Sequence, residues 1–255
     1  MSAPRIFDQQ HYKTLNSSRA AVVSALLSEL KGPLDLRTAV DVGCGLGYFS
    51  GLLTSLALEV TAVDGRSDNV NEAARRHPGV KFHTYNAEDP AIRTLGKFDL
   101  VFCFGLLYHL ENPLMAIRHL QFMAGKLLLV EGVILSGEEP VMALVDEEVH
   151  DDQGVNYLAF YPTESCLVKM LYASGMKYVY GLKSQPRQPD YDSENGTARV
   201  RTVLVAAAAP LTSDLLKLMP APSTAIKPWD ASAVAGRQNG LGKLRRALKR
   251  PFRKS

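Results

Sequence analysis

The chain has 255 residues, 46% hydrophobic and 22% charged, enough apolar matter for one full core with appendages. No run approaches the roughly 20 apolar residues of a membrane span. The opening MSAPRIFDQQHYK has no apolar signal core, and Cys44, Cys103 and Cys166 are scattered, which argues against a secreted disulfide scaffold or a thiolate metal site and for a cytoplasmic protein with reduced thiols. The net charge of +3 conceals a division. Eight of the 29 basic residues fall between Arg237 and Ser255, with no acid among them, so residues 1–236 carry 21 basic against 26 acidic residues, a net of −5.

From Ile6 to Leu30 the apolar positions Leu15, Ala20, Val22, Val23, Leu26, Leu27 and Leu30 recur at helical spacing, and Gly32-Pro33 stops the helix. Thr38 to Ser50 then reads TAVDVGCGLGYFS. Ala39 to Val42 is a short β-branched run suited to a buried strand, and Phe49, Leu52, Leu53 and Leu56 fall on one helical face. Between them Gly43, Gly45 and Gly47 form G-x-G-x-G, which differs from the dinucleotide G-x-G-x-x-G. Glycines let a ligand lie against the backbone, and the helix start turns its N–H groups toward that ligand. Asp41, two residues before the first glycine, suits a cationic ligand better than a pyrophosphate. The next strand, Leu58 to Val63, ends on Asp64, an acid placed for a ribose diol.

A helix from about Ser67, a plausible N-cap, to His77 follows. Val80 to Tyr85 reads as the third strand, ending in Asn86-Ala87-Glu88-Asp89, whose two acids can instead cap the next short helix. Leu100 to Phe104 is wholly apolar, as a strand buried on both faces requires. Asn112-Pro113 opens a helix with Leu114, Ile117, Leu120 and Phe122 or Met123 on its apolar face. Lys126 to Val130 is the fifth strand, finishing on Glu131-Gly132.

There the alternation breaks. Residues 136–162 are acidic, with embedded aromatics, and suit a substrate lid. Pro162-Thr163-Glu164 opens a helix through Ala173. Met176 to Leu182 and Val200 to Ala207 read as an antiparallel hairpin at the sheet edge, joined by a polar linker long enough to reach the site. Residues 209–236 are rich in Pro and Ala and read as a linker. Residues 237–255 form a basic amphipathic tail, with Leu241, Leu244, Leu248 and Phe252 on one stripe. It suits a membrane surface, a polyanion, or solvent alone.

DVGCGLG and TAVDG together resemble the class I S-adenosylmethionine-dependent methyltransferases, and GLLYHLENP is similar to their fourth motif. The resemblance implies an α/β, Rossmann-like sheet of seven mostly parallel strands with helices on both faces, its last hairpin antiparallel. This domain would span residues 1–208. S-adenosyl-L-methionine is the implied cofactor, with Asp41, Gly43, Gly45, Gly47, Asp64, Asn86, Ala87 and Phe104 as its binding residues, Asp64 on the ribose and Asn86-Ala87 beside the adenine. Phe7, His11 and Tyr12 either close over substrate or simply pack.

The fourth motif puts His109 at the reactive end of the cofactor, a candidate base for a hydroxyl nucleophile. His150, beside Asp151 and Asp152, is a second candidate. That cluster could also hold a hard cation, but a solvated acidic loop is the expectation, so no metal is expected. CFGLLYHLENPL with the later YPTESCLVKMLYASGM is similar to the branch holding the tRNA wobble-uridine carboxymethyltransferase and bacterial small-molecule and glycan methyltransferases. The expected function is methyl transfer to a small molecule or sugar, at oxygen. The alternatives are an RNA-modifying methyl- or carboxymethyltransferase and a non-catalytic cofactor-binding subunit. The tail leaves a membrane-surface or nucleic-acid contact open, with peripheral membrane placement as the corresponding location.

Overall fold

A computed structural model of the chain describes residues 5–147, 157–192 and 199–222. His150, Asp151, Asp152 and the stretch from 223 through the basic tail lie outside these residues. A 3₁₀ turn (Ile6–Asp8) leads into α1 (Gln10–Leu30). Strands β1 (Thr38–Val42), β2 (Glu59–Asp64) and β3 (Lys81–Thr84) then alternate with helices α2 (Tyr48–Ser55) and α3 (Ser67–Arg76). After β4 (Phe98–Phe104) come a 3₁₀ turn (Leu107–His109), α4 (Pro113–Met123) and β5 (Ala124–Leu135). The hairpin β6 (Met142–Asp146) and β7 (Leu158–Pro162), helix α5 (Glu164–Ala173), and strands β8 (Tyr178–Leu182), β9 (Arg199–Ala207) and β10 (Leu216–Leu218) complete the described chain.

The main sheet runs β3-β2-β1-β4-β5-β9-β8-β10. The first five strands in that order are parallel, while β9 is antiparallel to both β5 and β8. Residues along β4 explain why its run is apolar throughout. Leu100, Phe102 and Phe104 point into the core shared with α1 and α2, whereas Val101 and Cys103 point into the core shared with α4 and α5; alternate side chains on a strand face opposite ways. The winding direction reverses between β1 and β4, and a crevice opens at the carboxyl ends of the strands at such a switch point.

Three expectations need correction. The sheet has eight strands, because β10 pairs antiparallel with β8 inside the stretch read as linker. Leu216 is buried there, and the Met219 N–H donates to the Val179 carbonyl at 2.8 Å. The folded part therefore runs past the boundary expected at residue 208; three residues amid Pro and Ala are too few to register as a strand in composition. Ser67 is the first residue of α3 rather than its cap, and Arg66 is the N-cap. The β6–β7 hairpin forms a separate two-stranded sheet within the stretch read as a lid. Among the described residues no helix is long and apolar enough to cross a membrane.

Candidate active site

A cavity of about 860 Å³ opens at the switch point. Gly43 and Gly45 of the β1–α2 loop, Asp64, Asn86, Ala87, Phe104 and His109 all line it. Gly43 has φ +80°, and a Cβ there would stand 2.9 Å from Leu106 Cβ, so only glycine lets the loop lie against the β4 exit. Asp64 is tied into this loop: Oδ2 accepts from the Gly45 N–H at 2.9 Å, and Oδ1 from the Arg66 N–H at 2.9 Å and Asn69 Nδ2 at 3.2 Å. Burial raises its pKa, with those backbone bonds opposing. An ionised carboxylate has about four acceptor sites, and these three bonds leave Oδ2 the less occupied oxygen.

Two residues of the predicted set do not reach the cavity wall. Gly47 sits behind the loop: its φ is +83°, and a Cβ would come within 2.7 Å of His77 Cδ2, so this glycine serves packing of α2 against the end of α3. Asp41 is buried and accepts from Ser50 Oγ at 2.6 Å. Its carboxylate faces the first turns of α2 rather than a ligand. Asn86 is exposed on the rim, and its Oδ1 accepts from the Glu88 N–H at 2.9 Å, which occupies part of the acceptor capacity expected to meet adenine. Glu88 and Asp89 act locally, accepting from the backbone N–H groups of Asn112 and Ala91. Phe7 and Tyr12 line the cavity, and Asp8 pairs with Arg76 at 2.8 Å, tying the N-terminal turn to α3. His11 stays outside the lining, 4.0 Å from Asp190.

At the β4 exit His109 turns into the cavity, and its Nδ1 lies 2.5 Å from Glu147 Oε1. The two side chains are 10% and 2% exposed. Among the described residues no group of three His, Cys, Asp or Glu is placed to hold a metal ion.

Residues 40–122 match the family described as "Methyltransferase domain". That stretch, from β1 to the end of α4, is thus similar to a methyltransferase domain. The chain is 28% identical over 152 residues to the tRNA U34 carboxymethyltransferase of Actinobacillus succinogenes, covering 56% of this chain and 46% of that one. It is 35% identical over 115 residues to the ubiquinone biosynthesis O-methyltransferase of Xanthomonas axonopodis pv. citri, covering 43% and 46%. The chain thus spans about half the length of these curated relatives. Among solved structures, the N-terminal domain of EvdMO1 with SAH bound superposes with a TM-score of 0.64 at 19% identity, over 79% of this chain and 85% of that one. The residues present fit the family's cofactor: a Cβ-free loop, a carboxylate one strand over, and an apolar wall at Phe104, all on one cavity.

The floor of the cavity holds a cluster that sequence reading missed. Glu131, at 0% exposure, accepts from Arg19 Nη2 at 2.7 Å, Arg201 Nη1 at 3.1 Å and the Tyr191 hydroxyl at 2.9 Å. Burial pushes its carboxyl up, and Arg19 and Arg201 more than offset that, leaving it below the ordinary value. Arg201 Nη2 reaches the Tyr108 hydroxyl at 3.4 Å, and Arg19, Tyr108 and Arg201 line the cavity. Tyr191 lies on the β8–β9 linker; that segment, expected from its length to reach the site, contacts Glu131 beneath the cavity, and none of its described residues lines the wall. The only signal for Glu131 was an acid at the end of an apolar strand.

Asp41 yields a prediction for this fold. Burial pushes its carboxyl up to about 7 from 3.8, with the Ser50 bond opposing. Between those values the folded chain binds a proton that the unfolded chain does not, so this group's contribution to stability falls as pH rises through that window and levels off above it. Asp41→Asn should remove that slope: its melting temperature relative to the parent rises between about pH 4 and pH 7. Calorimetry should find its S-adenosylmethionine affinity within about threefold of the parent, under 1 kcal/mol, since the carboxylate lies off the cavity wall.

Proposed function

We propose that the protein transfers a methyl group from S-adenosylmethionine to a hydroxyl of a small-molecule or sugar acceptor, with His109 as general base. The observation that carries this reading is the position of His109, on the wall of the cavity that also presents the Gly43–Gly45 loop and Asp64. When bound, the cofactor supplies a methyl group already activated on a sulfonium. The chain must then hold a hydroxyl in line and take up its proton. Positioning supplies much of the acceleration, and a base within reach of the hydroxyl adds about 10²- to 10⁴-fold. His109 suits that role, being an imidazole on the wall beside the β4 exit, a side chain able to take up and release a proton. Methylation at oxygen is supported by the ubiquinone biosynthesis O-methyltransferase relative, and a non-RNA acceptor by the net −5 charge of residues 1–236, since phosphate contacts need Lys and Arg.

The test is cell extract incubated with the protein and isotopically labelled cofactor, with mass spectrometry for the product that gains a methyl. His109→Ala should bind the cofactor as the parent does and lose about 10²- to 10⁴-fold in turnover. Unchanged turnover sinks the base role, and cofactor binding with no labelled product favours a non-catalytic subunit.

One observation favours a second reading, a carboxymethyltransferase. Two guanidinium groups, Arg19 buried and Arg201 partly buried, share one carboxylate, Glu131, on the floor beside Tyr108. The surplus positive charge suits an extra carboxylate on the cofactor, as the resemblance to the tRNA U34 enzyme implies. Tighter binding of the carboxylated cofactor than of S-adenosylmethionine would select this reading.

A further inference from the structure

The β6–β7 hairpin stands apart from the main sheet, yet it is anchored at the reactive end of the cavity. Ala159 and Tyr161 of β7 share a small buried cluster with Tyr108, the neighbour of His109, and the Tyr108 and Tyr161 rings lie 5.8 Å apart. Leu135 bridges to Thr163 at the hairpin's base. Glu147 extends the ladder one residue beyond β6, its N–H donating to the Tyr157 carbonyl at 2.8 Å. Its backbone position is therefore set by the hairpin, and its side chain returns to His109 across 38 residues of sequence. His109 lines the cavity and Glu147 does not. Glu147 thus acts through the imidazole.

An ionised carboxylate only accepts hydrogen bonds. Facing Glu147 Oε1, Nδ1 of a neutral His109 must carry the ring proton, and the lone pair falls on Nε2. The bond made by one ring nitrogen decides the state of the other. We infer that Glu147 is a positioning residue, by which the β6–β7 hairpin fixes the tautomer of His109 and so assembles the proton acceptor of the site. The inference rests on the reading of His109 as the base. In its terms the stretch read as a lid does more than cover the acceptor: the base is set for its task only when the hairpin is seated. A hydroxyl proton taken up at Nε2 leaves an imidazolium whose Nδ1–H still points at the carboxylate, so the charge that appears in the step appears beside its counter-ion.

The experiment needs no acceptor. In ¹⁵N-histidine-labelled full-length protein with S-adenosylhomocysteine added, the ring signals of the six histidines are recorded near neutral pH, and His109 is assigned as the set lost in His109→Gln. The expected parent signal is the Nδ1–H tautomer. Glu147→Gln, whose amide can donate as well as accept, should shift His109 toward the Nε2–H form while the other five rings and the affinity for S-adenosylhomocysteine stay as in the parent. An Nε2–H ring in the parent overturns the inference whether or not the variant folds. So does a His109 signal identical in the parent and a folded Glu147→Gln.

With the acceptor found by isotope labelling, Glu147→Gln should lower kcat by about 10²-fold or more with the cofactor Kd unchanged. A loss confined to KM would mark a merely structural hairpin contact. The two readings fail separately: a fixed tautomer with full turnover in His109→Ala removes the base, whereas a lost turnover in His109→Ala with an unconstrained tautomer removes only the role of Glu147.

Discussion

Asp64→Ala should weaken S-adenosylmethionine binding by about 10²- to 10³-fold, or roughly 3–4 kcal/mol. Its carboxylate is the group that would take the ribose hydroxyls, and hydrogen bonds to a charged acceptor are worth about 1.5–3 kcal/mol each. The same carboxylate holds the Gly45 N–H at 2.9 Å, so the substitution also frees the loop that would lie against the cofactor. Asp64→Asn separates these contributions. The amide oxygen can keep the Gly45 bond, while the charge is lost and one accepting oxygen becomes a donor. Calorimetric titration should place Asp64→Asn between the parent and Asp64→Ala. A dissociation constant for Asp64→Ala within about threefold of the parent would remove the ribose role and with it the assignment of the cavity to this cofactor.

Asp64 was readable because its signal is local. A strand ending in an acid about one βα unit after a glycine turn has one topological meaning, and the β1–β2 pairing, Val40 against Thr61 and Val42 against Val63, puts that acid beside the loop. The apolar run of β4 was readable for the same reason, since both of its faces are buried. His109 followed from its place at the end of the 3₁₀ turn (Leu107–His109) by which the chain leaves β4.

Local spacing fails where a role depends on a distant partner. Asp41 and Asp64 both adjoin the glycine loop, but Ser50, nine residues on, captures Asp41 and turns it inward. Glu147 meets His109 across 38 residues, and Glu131 meets Arg19 and Arg201 across 112 and 70. No period in the sequence links such pairs; only the sheet order does. The interior salt-bridge cluster and the hairpin were therefore invisible, although each of their residues was in plain view.

Glu131→Ala should cost about 3–5 kcal/mol of stability, the typical consequence of removing one partner from a buried ion cluster. At the scale of a domain this size that is a fall in melting temperature of about 10 °C. The cause is what remains: Arg19 and Arg201, 6% and 14% exposed, would face each other with no counter-ion, and the Tyr191 hydroxyl would lose its acceptor.

Replacing the three charges together, with Arg19→Met, Glu131→Leu and Arg201→Met, should cost less than Glu131→Ala alone, because no charge is then stranded in the interior. The pH dependence carries the same signature. The Glu131 carboxyl lies below its ordinary 4.5 in the fold, Arg19 and Arg201 outweighing the burial that raises it. Its stabilisation is thus present above that value and lost as pH falls through the lower folded-state one. Thermal melts from neutral to acid pH should show the parent losing stability on the acid side more steeply than Glu131→Gln, with the two curves converging at the acid end. Parallel curves, or a triple variant weaker than Glu131→Ala, would mean that shape rather than charge holds α1, β5 and β9 together at the cavity floor.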